Sequence, residues 1–409
     1  MADQPLTGIR VVDMSRVLAG PWAGQMLADL GAEVIKIEKP VTGDESRVYG
    51  AAFLQGTDGS TVNQTPTFLA ANRGKKSITA NLASEGGQQL IRDLVAKADV
   101  VIENYKVGDL ARRGLDYEQL KKVNPRLIYC SVTGFGQTGP YRFRPGYDPI
   151  AQAMSGFMST TGIPDGEPGA GPMKAGPSII DLATGLYADI AILAALYRRD
   201  AAGGTGEYID MSLLDCGLAF TSHFAMHYAI TGEQPARVGT QGVSGMPGGV
   251  FPCKDGHIMI AAGTDALFPR FCRVIGREDM LADPRFASNG LRVTNRRDMV
   301  PILNEAMSTW TVRDLYLALV EAKVPCSPVN GIGDAFEDPQ IQARGMVRTV
   351  EHPRAGSVRL LANPIRFTKM ATADPVAPPE VGQHEDEILG GLLGYDRDKI
   401  DTLRKAGAI

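Results

Sequence analysis

Four β-rich runs separated by helical patterns occupy the first third of the chain and restrict what it can fold into. "IRVVDMS" (9–15), "AEVIKIEK" (32–39), "ADVVIENY" (98–105) and "RLIYCSV" (126–132) are short and rich in β-branched residues, as strands buried on both faces are. Between them, "WAGQMLADLG" (22–31) and "SEGGQQLIRDLVAKA" (84–98) carry apolar residues at helical spacing. Strands that alternate with helices pair in parallel, because the helix returns the chain to the end of the sheet where it started. The expected fold class is α/β, with a doubly wound parallel sheet. In such a sheet ligands lie beyond the carboxyl ends of the strands, here the segments after Asp13, Glu38, Glu103 and Val132.

One of these rim segments, "VTGFGQTGP" (132–140), has Gly134, Gly136 and Gly139 in the G-x-G-x-x-G spacing of a dinucleotide site. That site also needs a helix opening at the glycines and an acidic residue ending the next strand. Pro140, Pro145 and Pro149 follow instead, so no helix starts where a pyrophosphate would need it, and the glycines read as a turn. "NRGKKS" (72–77) resembles the end of a phosphate loop, but Leu69 stands where its first glycine belongs. Lys75 and Lys76 remain candidates for phosphate. His223 and His227 have the i, i+4 spacing of a zinc pair, yet Phe224 replaces the metalloprotease glutamate and no third ligand is evident. No metal is expected.

A chain of 409 residues with 44% hydrophobic content and 22% charge can bury a large core in two or more domains. Its net charge of −4, with Lys and Arg dispersed, lacks the basic footprint of a nucleic-acid binder. Small molecules are the expected partners. The five cysteines form no C-x-x-C pair and read as buried thiols. The start of the chain has no charged-then-apolar signal pattern, and "LATGLYADIAILAALY" (182–197) is interrupted by Asp189 and too short for a bilayer. A cytoplasmic protein without membrane contact is expected.

Glycine- and proline-rich stretches divide the chain into a large domain over 1–212, a linker over 213–237, a smaller α+β domain over 238–322, a second linker over 323–345 and a tail over 346–409. Six segments in order, "GIRVVDMSRVLAGPWAGQMLADLGAEVIKIEKP" (8–40), "NRGKKSITANL" (72–82), "DVVIENYKVGDLARRGL" (99–115), "GYDPIAQAMSG" (146–156), "IIDLATGLYADIAILAAL" (179–196) and "GEYIDMSLLD" (206–215), resemble the class III CoA-transferases. This CaiB/BaiF group includes formyl-CoA:oxalate and succinyl-CoA:dicarboxylate CoA-transferases. The resemblance spans nearly the whole chain. It implies a Rossmann-like large domain built from both termini, so that the tail returns to it, and an interlocked-ring homodimer. It also implies coenzyme A or acyl-CoA as substrate at the sheet's rim, with no tightly bound cofactor.

By position alone, Asp181 in "SIIDLATG" reads as a helix N-cap. The resemblance makes it the nucleophile, which a helix dipole would keep ionised. It would pass CoA from an acyl-CoA such as succinyl-CoA to a small organic acid, a dicarboxylate, through an aspartyl anhydride and an aspartyl-CoA thioester. The resemblance also places Arg16, Val17, Leu18, Lys39, Lys75, Lys76, Asn104, Tyr105, Arg112, Arg113 and Tyr147 near CoA, with Arg144 standing in for a family lysine at Pro145. Ordinary surface charge is the competing reading of the basic ones. Arg47 and Arg73 are candidates for the remote carboxylate of a dicarboxylate acceptor.

The glycine-rich "GTQGVSGMPGG" (239–249) reads by composition as a flexible turn; the resemblance implies instead a lid, with Gln241, Gly242 and Gly245 folding over the aspartate of a neighbouring subunit. Two alternatives share the fold. An α-methylacyl-CoA racemase has histidine where this chain has Tyr147, a phenol that ordinarily titrates near 10 and is a poor base. A non-catalytic CoA-binding subunit has no need of Asp181.

Overall fold

The computed structural model describes residues 4–409. Two compact units form, one from residues up to Met158, Lys174–Gly232 and Gln340–Ile409, the other from Ser159–Met173 and Glu233–Pro339.

The first unit is built on strands β1 (Arg10–Asp13), β2 (Glu33–Glu38), β3 (Lys76–Thr79), β4 (Val100–Glu103), β5 (Ile128–Thr133) and β6 (Glu207–Ser212). They form a single sheet in the order β6-β5-β4-β1-β2-β3, with every neighbouring pair parallel. Helices α1 (Ala19–Asp29), α2 (Glu85–Val95), α3 (Asp148–Met154) and α4 (Ile179–Ala201) belong to the same unit. Alternate residues of the strands feed two separate cores. Val12, Ile35 and Val101 pack with Leu90, Ile91 and Leu94 of α2, whereas Val11, Val34, Val100 and Ile102 pack with Ala23 and Leu27 of α1 and Ile192 of α4. Helices on both faces explain why consecutive residues such as Val11 and Val12, or Val100, Val101 and Ile102, are all apolar and buried.

Strands β3 and β6 close the edges of the sheet. β3 opens on lysine, and β6 reads "EYIDMS" and is mostly half-buried. The tail covers the β3 edge: Ser77 N–H donates to His384 Nδ1 at 3.1 Å and His384 N–H to Ser77 O at 2.9 Å. That pairing removes an edge that would otherwise template another chain.

Helix α4 has 23 residues, more than its periodic core suggested, and by length and composition it could cross a membrane. Length therefore does not exclude a span, as the sequence reading had it. One face, with Ile180, Ala183, Ala188, Ile192 and Leu196, is buried in the core. A Cβ on Gly185 would lie 2.8 Å from Ala19 O, so glycine is what lets α1 and α4 touch backbone to backbone.

The second unit holds an antiparallel sheet of β7 (Gly248–Cys253), β8 (Gly256–Ala261) and β9 (Cys326–Pro328). Helices α5 (Asn289–Thr294), α6 (Arg296–Met307) and α7 (Val312–Glu321) follow and precede β9. Phe251, Ile258 and Ile260 meet Phe271, Met299, Leu303 and Leu319 in its core. Of the five cysteines, Cys130, Cys216 and Cys272 are buried; Cys253 and Cys326 are only half-buried, near the ends of short edge strands.

Candidate active site

The sheet changes direction between β1 and β4: successive strands run β1-β2-β3 one way and β4-β5-β6 the other. Loops that leave neighbouring strands in opposite directions open a crevice at their carboxyl ends. A cleft of about 170 Å³ lies there, lined by Arg16–Ala19 after β1, Asn104–Val107 after β4, Val132–Gly134 after β5, Arg142–Tyr147 and Asp181. A larger cavity of about 740 Å³ lined by Lys39, Asn81 and Arg113 shares Arg16, Glu45 and Tyr105 with it.

The loop after β1 stands on a buried ionic layer. Lys75 Nζ donates to Asp13 at 2.7 Å, Lys36 pairs with Asp44 at 2.8 Å, and Arg47 grips Glu38 with two bonds of 2.7 Å. All six side chains are buried, and each charge has its counter-charge, as burial demands. Above this layer the Asn104 side chain clips the loop, accepting from Arg16 N–H at 2.9 Å and donating to Arg16 O at 2.7 Å. Val17 is held at φ +70, a conformation β-branched residues avoid. The Arg16 guanidinium bonds Glu45 at 2.7 Å and lies 4.7 Å from the Tyr105 ring centre.

The glycines of "GFGQTG" serve this architecture. A Cβ on Gly134 would come within 2.5 Å of Gly146 Cα, so the turn after β5 and the Arg142–Tyr147 segment cross in direct backbone contact at the cleft.

Asp181 sits in the first turn of α4, but it does not cap the helix. Asp148, at the start of α3, accepts from Ile180 N–H at 2.8 Å and Asp181 N–H at 3.1 Å. Its other oxygen accepts from Gln152 Nε2 at 2.5 Å, and Gln152 Oε1 accepts from Ala175 N–H at 2.8 Å. A neighbour has taken the capping duty, which leaves the half-buried Asp181 side chain to the cleft. Burial, and second the charge of Asp148, push the Asp181 carboxyl up to about 7. The expectation that the carboxyl is kept fully ionised is corrected: burial, and second the charge of Asp148, favour its protonated form.

The model of CoA-transferase family III matches residues 6–385. The chain belongs to that family. Succinate–glutarate CoA-transferase of Agrobacterium fabrum is 44% identical, over 96% of this chain and 97% of its own. Human succinyl-CoA:glutarate CoA-transferase is 39% identical over 99% and 90%. A CaiB/BaiF family crystal structure from Brucella suis superposes with a TM-score of 0.86 at 42% identity, covering 95% of this chain and all of the other. Like other members, this CoA-transferase moves coenzyme A between an acyl-CoA and a carboxylic acid.

Family III membership sorts the basic residues only when read with their partners. Arg16, Val17, Leu18, Asn104, Tyr105, Arg144 and Tyr147 all line the cleft with Asp181, although Asn104 is spent on clipping the loop. Lys39 and Arg113 line the larger cavity, Lys39 exposed and the Arg113 guanidinium donating to Leu82 O. Lys75 is fully buried against Asp13, and burial pulls its amine down to about 8. Lys76 bonds Glu33 and Glu387, and Arg112 pairs with Asp109. Neither Arg47 nor Arg73 is open to an acid: Arg47 is gripped by Glu38 and Pro379 O, and Arg73 by Asp29 in a buried pair.

Reading the sequence alone passes over Asp148, Glu45, Lys106 and Arg142. The signal for Asp148 is an Asp-Pro step opening a helix, which marks a carboxylate near a helix start but not that it caps a different helix.

In the second unit the glycine-rich loop is braced rather than slack. Asn289 of α5 accepts from Met246 N–H at 3.1 Å and donates to Ser244 O at 2.8 Å, while the buried Arg292 donates to Met246 O at 2.7 Å. Gly242 N–H closes the loop on Gly248 O at 2.7 Å, and a Cβ on Gly242 would strike Gly245 O at 2.5 Å. Gly245 itself has room, with nothing nearer its Cβ than Gly263 Cα at 3.7 Å.

Proposed function

We propose that this CoA-transferase exchanges coenzyme A between a succinyl-CoA-type donor and a small dicarboxylate, with Asp181 as the covalent carrier. The observation that carries the mechanism is the uncapping of Asp181: Asp148 holds the helix N–H groups, so the carboxylate in the switch-point cleft is unencumbered. The substrate class follows the relatives that act on succinate, glutarate and their CoA esters.

An Asp181 oxygen attacks the thioester carbonyl; the C–S bond breaks, CoA leaves as thiolate, and a mixed anhydride remains. The thiolate attacks the aspartyl carbonyl, expels the donor acid as carboxylate and leaves an Asp181–CoA thioester. The acceptor carboxylate then displaces CoA to form a second anhydride. Attack by thiolate on the acceptor's carbonyl releases the new acyl-CoA and regenerates Asp181. No net proton is consumed. Holding the reactants while shutting out water supplies the advantage over hydrolysis.

The pantetheine arm would pass Arg16 and Tyr105 from the larger cavity, where Lys39 and Arg113 offer cations to the nucleotide phosphates. A homodimer of interlocked chains fits the outer face of α4, where Leu186, Ile190 and Tyr197 are 43, 63 and 76% exposed, and the later helix His223–Thr231, where Met226 and Ile230 are 59 and 83% exposed. In that dimer Gln241–Gly245 is assigned to cover the aspartate of the second copy.

The carrier role is tested by incubation with acyl-CoA followed by hydroxylamine, which converts an activated carboxyl to a hydroxamate. Peptide mapping should find the modification at Asp181; modification elsewhere, or transfer by an Asp181→Ala variant, overturns the reading.

A further inference from the structure

A dicarboxylate brings two charges to the cleft, and only one is consumed in forming the thioester. The other must meet a cation, since a carboxylate taken from water without a partner is strongly disfavoured. The two arginines expected for this duty are closed by buried pairs with Glu38 and Asp29, so the charge must be met elsewhere.

The cleft has its own supply. Arg142 and Arg144 line it together with Asp181. Neither forms an ion pair among the described residues; the Arg142 guanidinium lies over the Phe143 ring, 4.5 Å from its centre, and makes one long bond of 3.4 Å to Gly139 O. Arg144 lies over Tyr141 at 3.9 Å, and Tyr141 in turn meets Phe135 edge to face at 5.8 Å. The segment Tyr141–Arg144 thus alternates rings and guanidinium groups, each cation resting on an aromatic platform. Stacked guanidinium groups lose less freedom on binding an oxyanion and present a planar fork to it. The Gly134–Gly146 crossing ties this segment to the turn after β5. Arg16, the other arginine in the cleft, is already bonded to Glu45.

Size separates the two substrates. The cleft beside Asp181, about 170 Å³, is the smaller of the two spaces, on the scale of a small acid. The cavity of about 740 Å³ with Lys39 and Arg113 suits the nucleotide end. We propose that Arg142 and Arg144 form the seat for the remote carboxylate of the acid substrate and so set the preference for dicarboxylates. This rests on the transferase reading above.

The test compares wild type with the Arg142→Gln/Arg144→Gln double variant, using succinyl-CoA as donor and glutarate or butyrate as acceptor, with CoA binding measured by calorimetry. The expected result is a fall in the glutarate-to-butyrate ratio of kcat/KM by roughly tenfold to a hundredfold, the value of charge-assisted hydrogen bonds, while the CoA dissociation constant moves less than twofold. An unchanged ratio overturns the seat. So does a loss of CoA affinity matching the loss of transfer, which would make these arginines phosphate ligands. Wild type that favours butyrate instead refutes the dicarboxylate reading itself. Hydroxylamine labelling of Asp181 in the double variant checks that it folds and still activates the carboxyl.

Discussion

Replacing Asp181 by asparagine should abolish transfer and at the same time stabilise the protein at neutral and alkaline pH. Burial raises the Asp181 carboxyl to about 7 from its ordinary 3.8, so the folded state resists an ionisation that the unfolded chain undergoes freely. The sign follows from linkage: above pH 3.8 the unfolded state loses its proton while the folded state keeps it, and stability falls with rising pH until both are ionised. At about 1.4 kcal/mol per pH unit, a carboxyl raised from 3.8 to about 7 costs about 4 kcal/mol at pH 7 and above and about 2 kcal/mol at pH 5. Asparagine has the same shape and no charge, so it removes that cost. Thermal unfolding of wild type and Asp181→Asn at one protein concentration, at pH 5 and pH 8, should give a gap in Tm that favours the variant and widens at pH 8. If the dipole of α4 governed the carboxyl instead, asparagine would destabilise at pH 8. A gap that shrinks or reverses between pH 5 and pH 8 would refute the burial argument.

The same ionisation should appear in turnover: kcat/KM rises about tenfold per pH unit below about 7 and levels above it, as measured with a donor stable over that range. Asp148→Asn keeps an acceptor for the α4 N–H groups but removes the neighbouring charge, so the midpoint of that profile should move to lower pH; an unmoved midpoint would mean Asp148 only caps. At Gly245 a Cβ would meet nothing closer than Gly263 Cα at 3.7 Å, so the backbone admits a side chain there, and Gly245→Trp adds an indole to the braced loop. It should raise acyl-CoA hydrolysis relative to transfer if the loop covers the aspartate of a second copy, and equal losses of both would reduce the loop to a connector. Asp189 is buried in α4 with no hydrogen-bond donor at either oxygen among the described residues, and burial holds its carboxyl well above the ordinary range. Asp189→Asn should therefore raise Tm increasingly from pH 5 to pH 8, whereas a pH-independent change would point to packing instead.

The alternation of apolar runs and helical periods was enough to determine the parallel sheet, because strands covered on both faces carry apolar residues toward both helix layers and crossover helices have to separate them. It also located the ligand rim after Asp13, Glu103 and Val132, which is where the cleft lies. The segments in family order singled out Asp181. What the residue types could not disclose was which charges are free. Arg73 finds Asp29, 44 residues away, Lys75 finds Asp13 at 62, and Arg47 adds Pro379 O at 332 to its nearby glutamate. Each is an arginine or lysine in a plausible motif, and only the packing of distant segments turns it into a closed pair. Asp181 is the same case in reverse: a helix-start aspartate reads as a cap and an anion, and it is not a cap because Asp148, 33 residues earlier, has taken the N–H groups, nor fully ionised because burial, and second the charge of Asp148, raise its carboxyl. Local pattern governs backbone periodicity, whereas the protonation and availability of a side chain depend on desolvation and on partners, which exist only once the chain has closed on itself.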